Sequence, residues 1–157
     1  MVVFATNRVT EREVAINFHD SEGGEDRHAE PRSLCSVSSP NVLSVLEAGT
    51  ISDTLAYFVT PRCSGGSLAR LTVEPIGALR ALDYPIQIGS GLVAIHSRGM
   101  VHRDIKPGNI VVEGDRPLIA DFGSVRNVPY TQTASEVSNH TTLYRPPEVE
   151  PGLPFSI

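Results

Sequence analysis

His102-Arg103-Asp104-Ile105-Lys106-Pro107-Gly108-Asn109 runs into Ile110 to Val112, the turn residues Glu113-Gly114-Asp115, Leu118 to Ala120, and then Asp121-Phe122-Gly123. Two short aliphatic runs around a glycine-containing turn predict a hairpin. A hairpin brings the chain back to the end at which it started, so Asn109 and Asp121, twelve residues apart, are expected side by side. Taken singly, Asp104 reads as a turn or cap residue and Asp121-Phe122-Gly123 as a polar turn after a strand. The order and spacing of these elements along one chain is what carries information.

Working outward, Ile88, Leu92 and Ile95 recur at spacings of four and three, which predicts a helix from about Tyr84 to Arg98, with Pro85 in its first turn and Gly99 as its stop. Val2 to Thr6 and Glu13 to Phe18 read as a hairpin across a polar connection, and Val42 to Leu46 and Leu55 to Thr60 as two more strands around a turn at Glu47 to Asp53. His19 to Arg27 is polar, and the segment from there to Ser38 is weakly helical at best, because Pro31 stands only in a first helical turn. The fold class is α+β, with a boundary near residues 60 to 66.

The chain has 157 residues, 13 Lys plus Arg against 18 Asp plus Glu, and a formal net charge of −5. An acidic chain without a block of cations is a poor binder of nucleic acid or of an anionic membrane by bulk electrostatics. The longest apolar runs, such as Leu92 to Ile95, fall far short of a membrane span. Cys35 and Cys63 lie outside any C-x-x-C spacing, which suits a reducing compartment, and the first ten residues have no apolar signal core, so a cytoplasmic location is expected. The sequence sets no oligomeric state. Lys106 is the only lysine.

The ordered set His102 to Asn109, Asp121-Phe122-Gly123 and Tyr144-Arg145-Pro146-Pro147-Glu148 resembles the catalytic-loop, metal-binding and A-P-E signatures of the protein kinases. Lys106, two after the aspartate, points to the serine/threonine branch. The resemblance implies a two-lobe fold with a partial antiparallel-sheet N-lobe over residues 1–60 and a partial, mostly helical C-lobe over 61–157. It implies ATP and Mg²⁺ as cofactors and a protein Ser/Thr hydroxyl as acceptor. Asp104 would orient the attacking hydroxyl, Lys106 would neutralise the transferred phosphoryl group, and Asn109 and Asp121 would hold the metal. For the nucleotide it implies Val2, Ala15 and Val111 around adenine, Thr60 as gatekeeper, Cys63 in the hinge, and Asn17 and Glu30 where the phosphate-holding lysine and its glutamate partner stand. Leu34, Val45, His102 and Phe122 match the regulatory spine, so His102 is assigned to packing. Thr141 matches the threonine that meets substrate, and Thr131, Thr133, Ser135 and Ser138 are candidate phosphosites for Arg103 to bind.

The chain departs from the family pattern in three places. Asn17 replaces the strand lysine, and no other lysine is present to substitute. Arg12, an odd number of residues away, faces the other side of a regular strand, and Pro31 disfavours helical geometry at Glu30. A Lys–Glu pair is therefore not expected. The glycine-rich loop that would precede Val2 and the helix that would follow Glu148 do not occur in the 157 residues, which leaves apolar surface expected along the 84–98 helix. Three readings follow: a serine/threonine protein kinase, a catalytically impaired pseudokinase or interaction module, and a small-molecule phosphotransferase on a related fold. Lys106-Pro107 and the Thr141 to Glu148 block favour protein substrates over small ones.

Overall fold

Val2–Thr6 (β1) and Glu13–Asp20 (β2) pair antiparallel in the computed structural model, which describes residues 1–20, 28–71, 77–127 and Tyr144. With Glu47–Thr50 (β3) and Leu55–Pro61 (β4) they form a four-stranded sheet in the order β1-β2-β4-β3. The register sets Ala15 opposite Thr60 and Asn17 opposite Phe58. Successive side chains alternate between faces, so Ala15, Asn17, His19, Phe58 and Thr60 share one face. That face turns inward, with Ala56, Phe58 and Thr60 all nearly inaccessible.

The third strand departs from the sequence expectation. Val42 to Leu46 is not a ladder strand. Val42 is buried and makes a single bridge to Ile119, and Leu43 N–H donates to the Ile119 carbonyl at 2.9 Å. The apolar residues of this segment dock it on the core, and the ladder with β4 passes to Glu47–Thr50, part of the expected turn. Gly49 permits this because a Cβ there would lie 2.8 Å from the Tyr57 ring.

Ala29–Ser36 (α1) is a formed helix with Glu30 in its first turn. Pro31, the third residue, costs nothing there because the first N–H groups of a helix have no partner within it. Glu30 is helical despite the steric bias that a following proline imposes, so the expectation of spoiled geometry at Glu30 fails. Leu34, 1% exposed, plugs the helix into the core.

Leu68–Leu71 (α2) is a single turn, and Ala78–His96 (α3) begins six residues earlier than the periodicity predicts. Pro85 is therefore the eighth residue of α3, not part of its first turn, and it removes the bond that residue 85 would donate to the Ala81 carbonyl. Packing offsets the loss: Tyr84 and Ile95 are buried, and Gly91 lies so close to the Asn41 carbonyl that a Cβ would sit 2.8 Å from it. Gly99, at φ +69, ends the helix. The opposite side of α3 exposes Leu79, Leu82, Ile86 and Val93, each at least 68% accessible, of which Ile86 and Val93 lie within the 84–98 stretch where apolar surface is expected. No helix among the described residues is long and apolar enough to cross a membrane.

Met100–Val101 (β5) pairs with Arg126–Asn127 (β8), and Ile110–Glu113 (β6) with Arg116–Ile119 (β7). Gly114, at φ +61, opens the two-residue loop of the second hairpin. Leu34, Phe58, Ile95, Ile110, Ile119 and Phe122 meet in one cluster, so the sheet, α1, α3 and the hairpin share a core.

Candidate active site

Between β5 and β6 the chain runs through residues 102–109, and its geometry is fixed from below by His102. The ring is 1% exposed and meets Phe122 edge to face at 5.2 Å. Nε2 lies 3.0 Å from the Ala120 carbonyl, and Nδ1 accepts from the Asp104 N–H at 3.4 Å. Two such partners require the neutral ring with hydrogen on Nε2. Burial, the largest influence, lowers its pKa, and the Ala120 bond and nearby carboxylates only partly oppose this. A neutral ring locked on both nitrogens is packing and scaffold. Arg103 takes φ +66 and its Nε donates to the Ser124 carbonyl at 3.2 Å, joining this loop to the segment after Phe122.

Asp104 is held from two sides. Lys106 Nζ lies 2.7 Å from its Oδ2, and Asn109 Nδ2 donates to the same oxygen at 2.9 Å and to the Asp104 carbonyl at 2.9 Å. Burial alone would raise the carboxyl's pKa, but the bonds from Lys106 and Asn109 outweigh it and hold the group below the usual aspartate value. Asp104 is thus an oriented carboxylate whose Oδ1 makes no hydrogen bond among the described residues. Asn109, 6% exposed, sits in a short 3-10 turn at Pro107–Asn109. With Nδ2 committed to Asp104, its Oδ1 is the atom available to a cation.

The β6–β7 hairpin closes the site as the sequence led us to expect. Ala120 N–H donates to the Asn109 carbonyl at 2.9 Å, which sets Asp121 beside Asn109. Asp121 takes a left-handed conformation at φ 59, ψ 75 and is exposed, while Phe122 beside it is buried at 1%. One peptide unit therefore sends the carboxylate out and the phenyl ring in. A Cβ on Gly123 would lie 3.3 Å from Asp121 Oδ1, so glycine leaves that oxygen room. An amide oxygen and a carboxylate at one hairpin end are hard donors of the kind Mg²⁺ accepts together with water and phosphate oxygens.

Glu30 reaches this cluster from α1. Its Oε1 accepts the Phe122 N–H at 3.2 Å. Burial, then the nearby Asp121 charge, pushes its pKa up to about 7, partly opposed by the Phe122 bond. Its other oxygen lies 3.5 Å from His19 Nε2. Asn17 is half-buried and its side chain makes no hydrogen bond among the described residues. So the group on β2 that meets Glu30 is His19, the first residue of the polar stretch 19–27. A signal was there: His19 is two residues beyond Asn17 and so on the same strand face.

The nucleotide-binding candidates cluster less tightly. Ala15 and Thr60 are buried opposite one another, Val111 and Cys63 are half-buried, and Val2, at 55% accessible, lies open at the sheet edge opposite Asn17. Gly65 N–H donates to the Val112 carbonyl and Val112 N–H to the Gly66 carbonyl, each at 2.9 Å, which fastens the segment after Cys63 to β6 beside Val111. Burial and then Glu113 raise the Cys63 thiol to about 11, leaving it protonated and unreactive. Thr131, Thr133, Ser135, Ser138, Thr141 and Arg145 to Glu148 lie outside the described residues.

A carboxylate gripped by lysine and asparagine, a second carboxylate at the hairpin end and a half-buried glutamate on a helix are thus brought to one place on a two-lobe scaffold. The model of the protein kinase domain family matches residues 1–152, and the chain belongs to that family. A cyclin-dependent kinase F-4 of rice is 35% identical over 126 residues, 76% of this chain and 26% of that protein. A serine/threonine-protein kinase of Corynebacterium efficiens, drp72, is 34% identical over 168 aligned residues, 96% of this chain and 32% of its own length. The DNA damage-responsive serine/threonine-protein kinase RqkA of Deinococcus radiodurans is 34% identical over 152, 90% and 23% respectively. The chain thus spans between about a quarter and a third of the length of these relatives.

Proposed function

We propose that this chain carries the phosphoryl-transfer site of a serine/threonine protein kinase, with residues 1–60 as its N-lobe part and 61–157 as its C-lobe part. The carrying observation is the grip on Asp104 Oδ2 by Lys106 Nζ at 2.7 Å and Asn109 Nδ2 at 2.9 Å. Phosphoryl transfer through a loose transition state is mainly positioning and charge neutralisation. Asp104 orients the acceptor hydroxyl and takes its proton as the oxygen attacks the γ-phosphorus and ADP departs. Lys106, already beside Asp104, faces the charge on the moving phosphoryl group. Asn109 Oδ1 and the Asp121 carboxylate fit Mg²⁺, which when bound would neutralise the phosphate oxygens. Ala15, Val111 and Val2 would enclose adenine, with Thr60 behind it, the Cys63 segment at its edge and Asn17 towards the phosphates.

A protein acceptor is supported by Lys106-Pro107 and by relatives named as serine/threonine-protein kinases. Two free thiols, Cys35 and Cys63, suit the reducing cytoplasm. The test is Mg²⁺-dependent transfer from γ-labelled ATP to a generic protein, with sugars and aminoglycosides as alternative acceptors. Transfer to protein that Asp104→Asn removes supports the proposal. Transfer only to small acceptors makes this a small-molecule phosphotransferase, and ATP binding without transfer makes it a pseudokinase.

A further inference from the structure

Residue 17 gives Glu30 no cation, yet Glu30 is the side chain that ties α1 to the Phe122 backbone. The group opposite its free oxygen is His19, with Nε2 at 3.5 Å from Oε2. Two observations make this more than proximity. The His19 ring is stacked on Phe58, centroids 5.0 Å apart and planes 20° from parallel, so the buried floor of the sheet sets its direction. Its Nε2 is buried and makes no hydrogen bond among the described residues, a nitrogen removed from water that a small closure of α1 onto the sheet would satisfy with Glu30. Phe58 fixes His19, His19 meets Glu30, Glu30 binds the Phe122 N–H, and Asp121 precedes Phe122.

We propose that His19 is the positioning residue that couples β2 to α1 in this kinase, engaging Glu30 and through it setting the backbone at Phe122 that aims Asp121. The proposal rests on the kinase reading for its effect on turnover, but its structural half needs no turnover to be measured.

The test compares His19→Phe, which keeps the stack on Phe58 and deletes the nitrogen, with His19→Gln, which restores a side-chain N–H donor. Each is made with and without Asn17→Lys, which puts a cation on the same strand face. Two readouts are taken: hydrogen exchange at the Phe122 amide, and kcat with KM for ATP. We expect His19→Phe to speed exchange at Phe122 about tenfold or more while the Ile119 amide, bonded to the Asn41 carbonyl at 2.9 Å, is unchanged. We expect turnover to fall about 10- to 100-fold, as removal of a group that supports a metal ligand typically does. His19→Gln retains most of both, and Asn17→Lys rescues His19→Phe. If His19→Phe leaves Phe122 exchange and turnover within twofold of the parent, or if His19→Gln is as impaired as His19→Phe, the proposal is overturned. Asp104→Asn separates the two claims, since it should abolish transfer and leave Phe122 exchange untouched.

Discussion

Replacing Glu30 by Gln should flatten the pH dependence of stability between about pH 4.5 and 7. Burial and the Asp121 charge raise the Glu30 carboxyl from 4.5 to about 7 in the folded chain. Between those values the folded state holds a proton that the unfolded state has released. Stability from this group is therefore fully present below pH 4.5 and is lost as pH rises through 7. The interval is about 2.5 on the pH scale, and at about 1.36 kcal/mol per unit it amounts to about 3 kcal/mol. His19 and His102, both held below 6.5 by burial, act in the opposite sense, gaining stability as pH rises towards 6.5. The readout is accordingly the difference between parent and variant. Gln keeps an oxygen for the Phe122 N–H, matches the volume and carries no charge, so the pair should agree near pH 4.5, with the variant up to about 3 kcal/mol the more stable above pH 7. The chain has no tryptophan, so urea unfolding is followed by far-ultraviolet circular dichroism at pH 5, 6, 7 and 8. A constant difference across that range would refute the reasoning, because it would mean that Glu30 ionises alike in both states.

Gly91→Ala places a Cβ 2.8 Å from the Asn41 carbonyl oxygen and 2.9 Å from Ile119 Cδ1, and should destabilise by about 1–3 kcal/mol. Gly89→Ala on the same helix meets nothing within 4 Å and should stabilise by roughly 0.5–1 kcal/mol, both read from urea midpoints. Leu34→Ala empties a 1% exposed site in the core and should cost about 2–5 kcal/mol in calorimetry. Lys106→Met should slow phosphate transfer by about 10²–10³. It should also move the acidic limb of the pH–rate profile upwards, since Lys106 is one of the groups that lower the Asp104 pKa.

The parts legible in the sequence were those set by short-range pattern. The β6–β7 hairpin followed from two aliphatic runs and Gly114, and it carried the neighbourhood of Asn109 and Asp121 with it. The β1–β2 hairpin and β4 followed from β-branched and aromatic runs set off by polar connections. What the sequence hid was decided by packing across elements. Ala78 starts α3 behind Gly77, which makes no side-chain cap bond, so no start signal marks it, and Pro85 inside the helix pointed to a later start. Val42 to Leu46 has strand composition but spends it on the core below Ile119. His19 and Glu30 belong to different elements, and it is packing on Phe58 and the bond to the Phe122 N–H that set them 3.5 Å apart.

The central claim is that Asp104, gripped by Lys106 and Asn109, orients the acceptor hydroxyl. Its most direct test is the initial rate of phosphate transfer from ATP to a Ser/Thr-containing protein, for the parent and for Asp104→Asn, with Mg²⁺ and with the metal chelated. The account predicts a Mg²⁺-dependent parent rate that Asp104→Asn lowers by about 10²–10⁴, measured at a temperature where both proteins are fully folded. An Asp104→Asn rate equal to the parent's would contradict it.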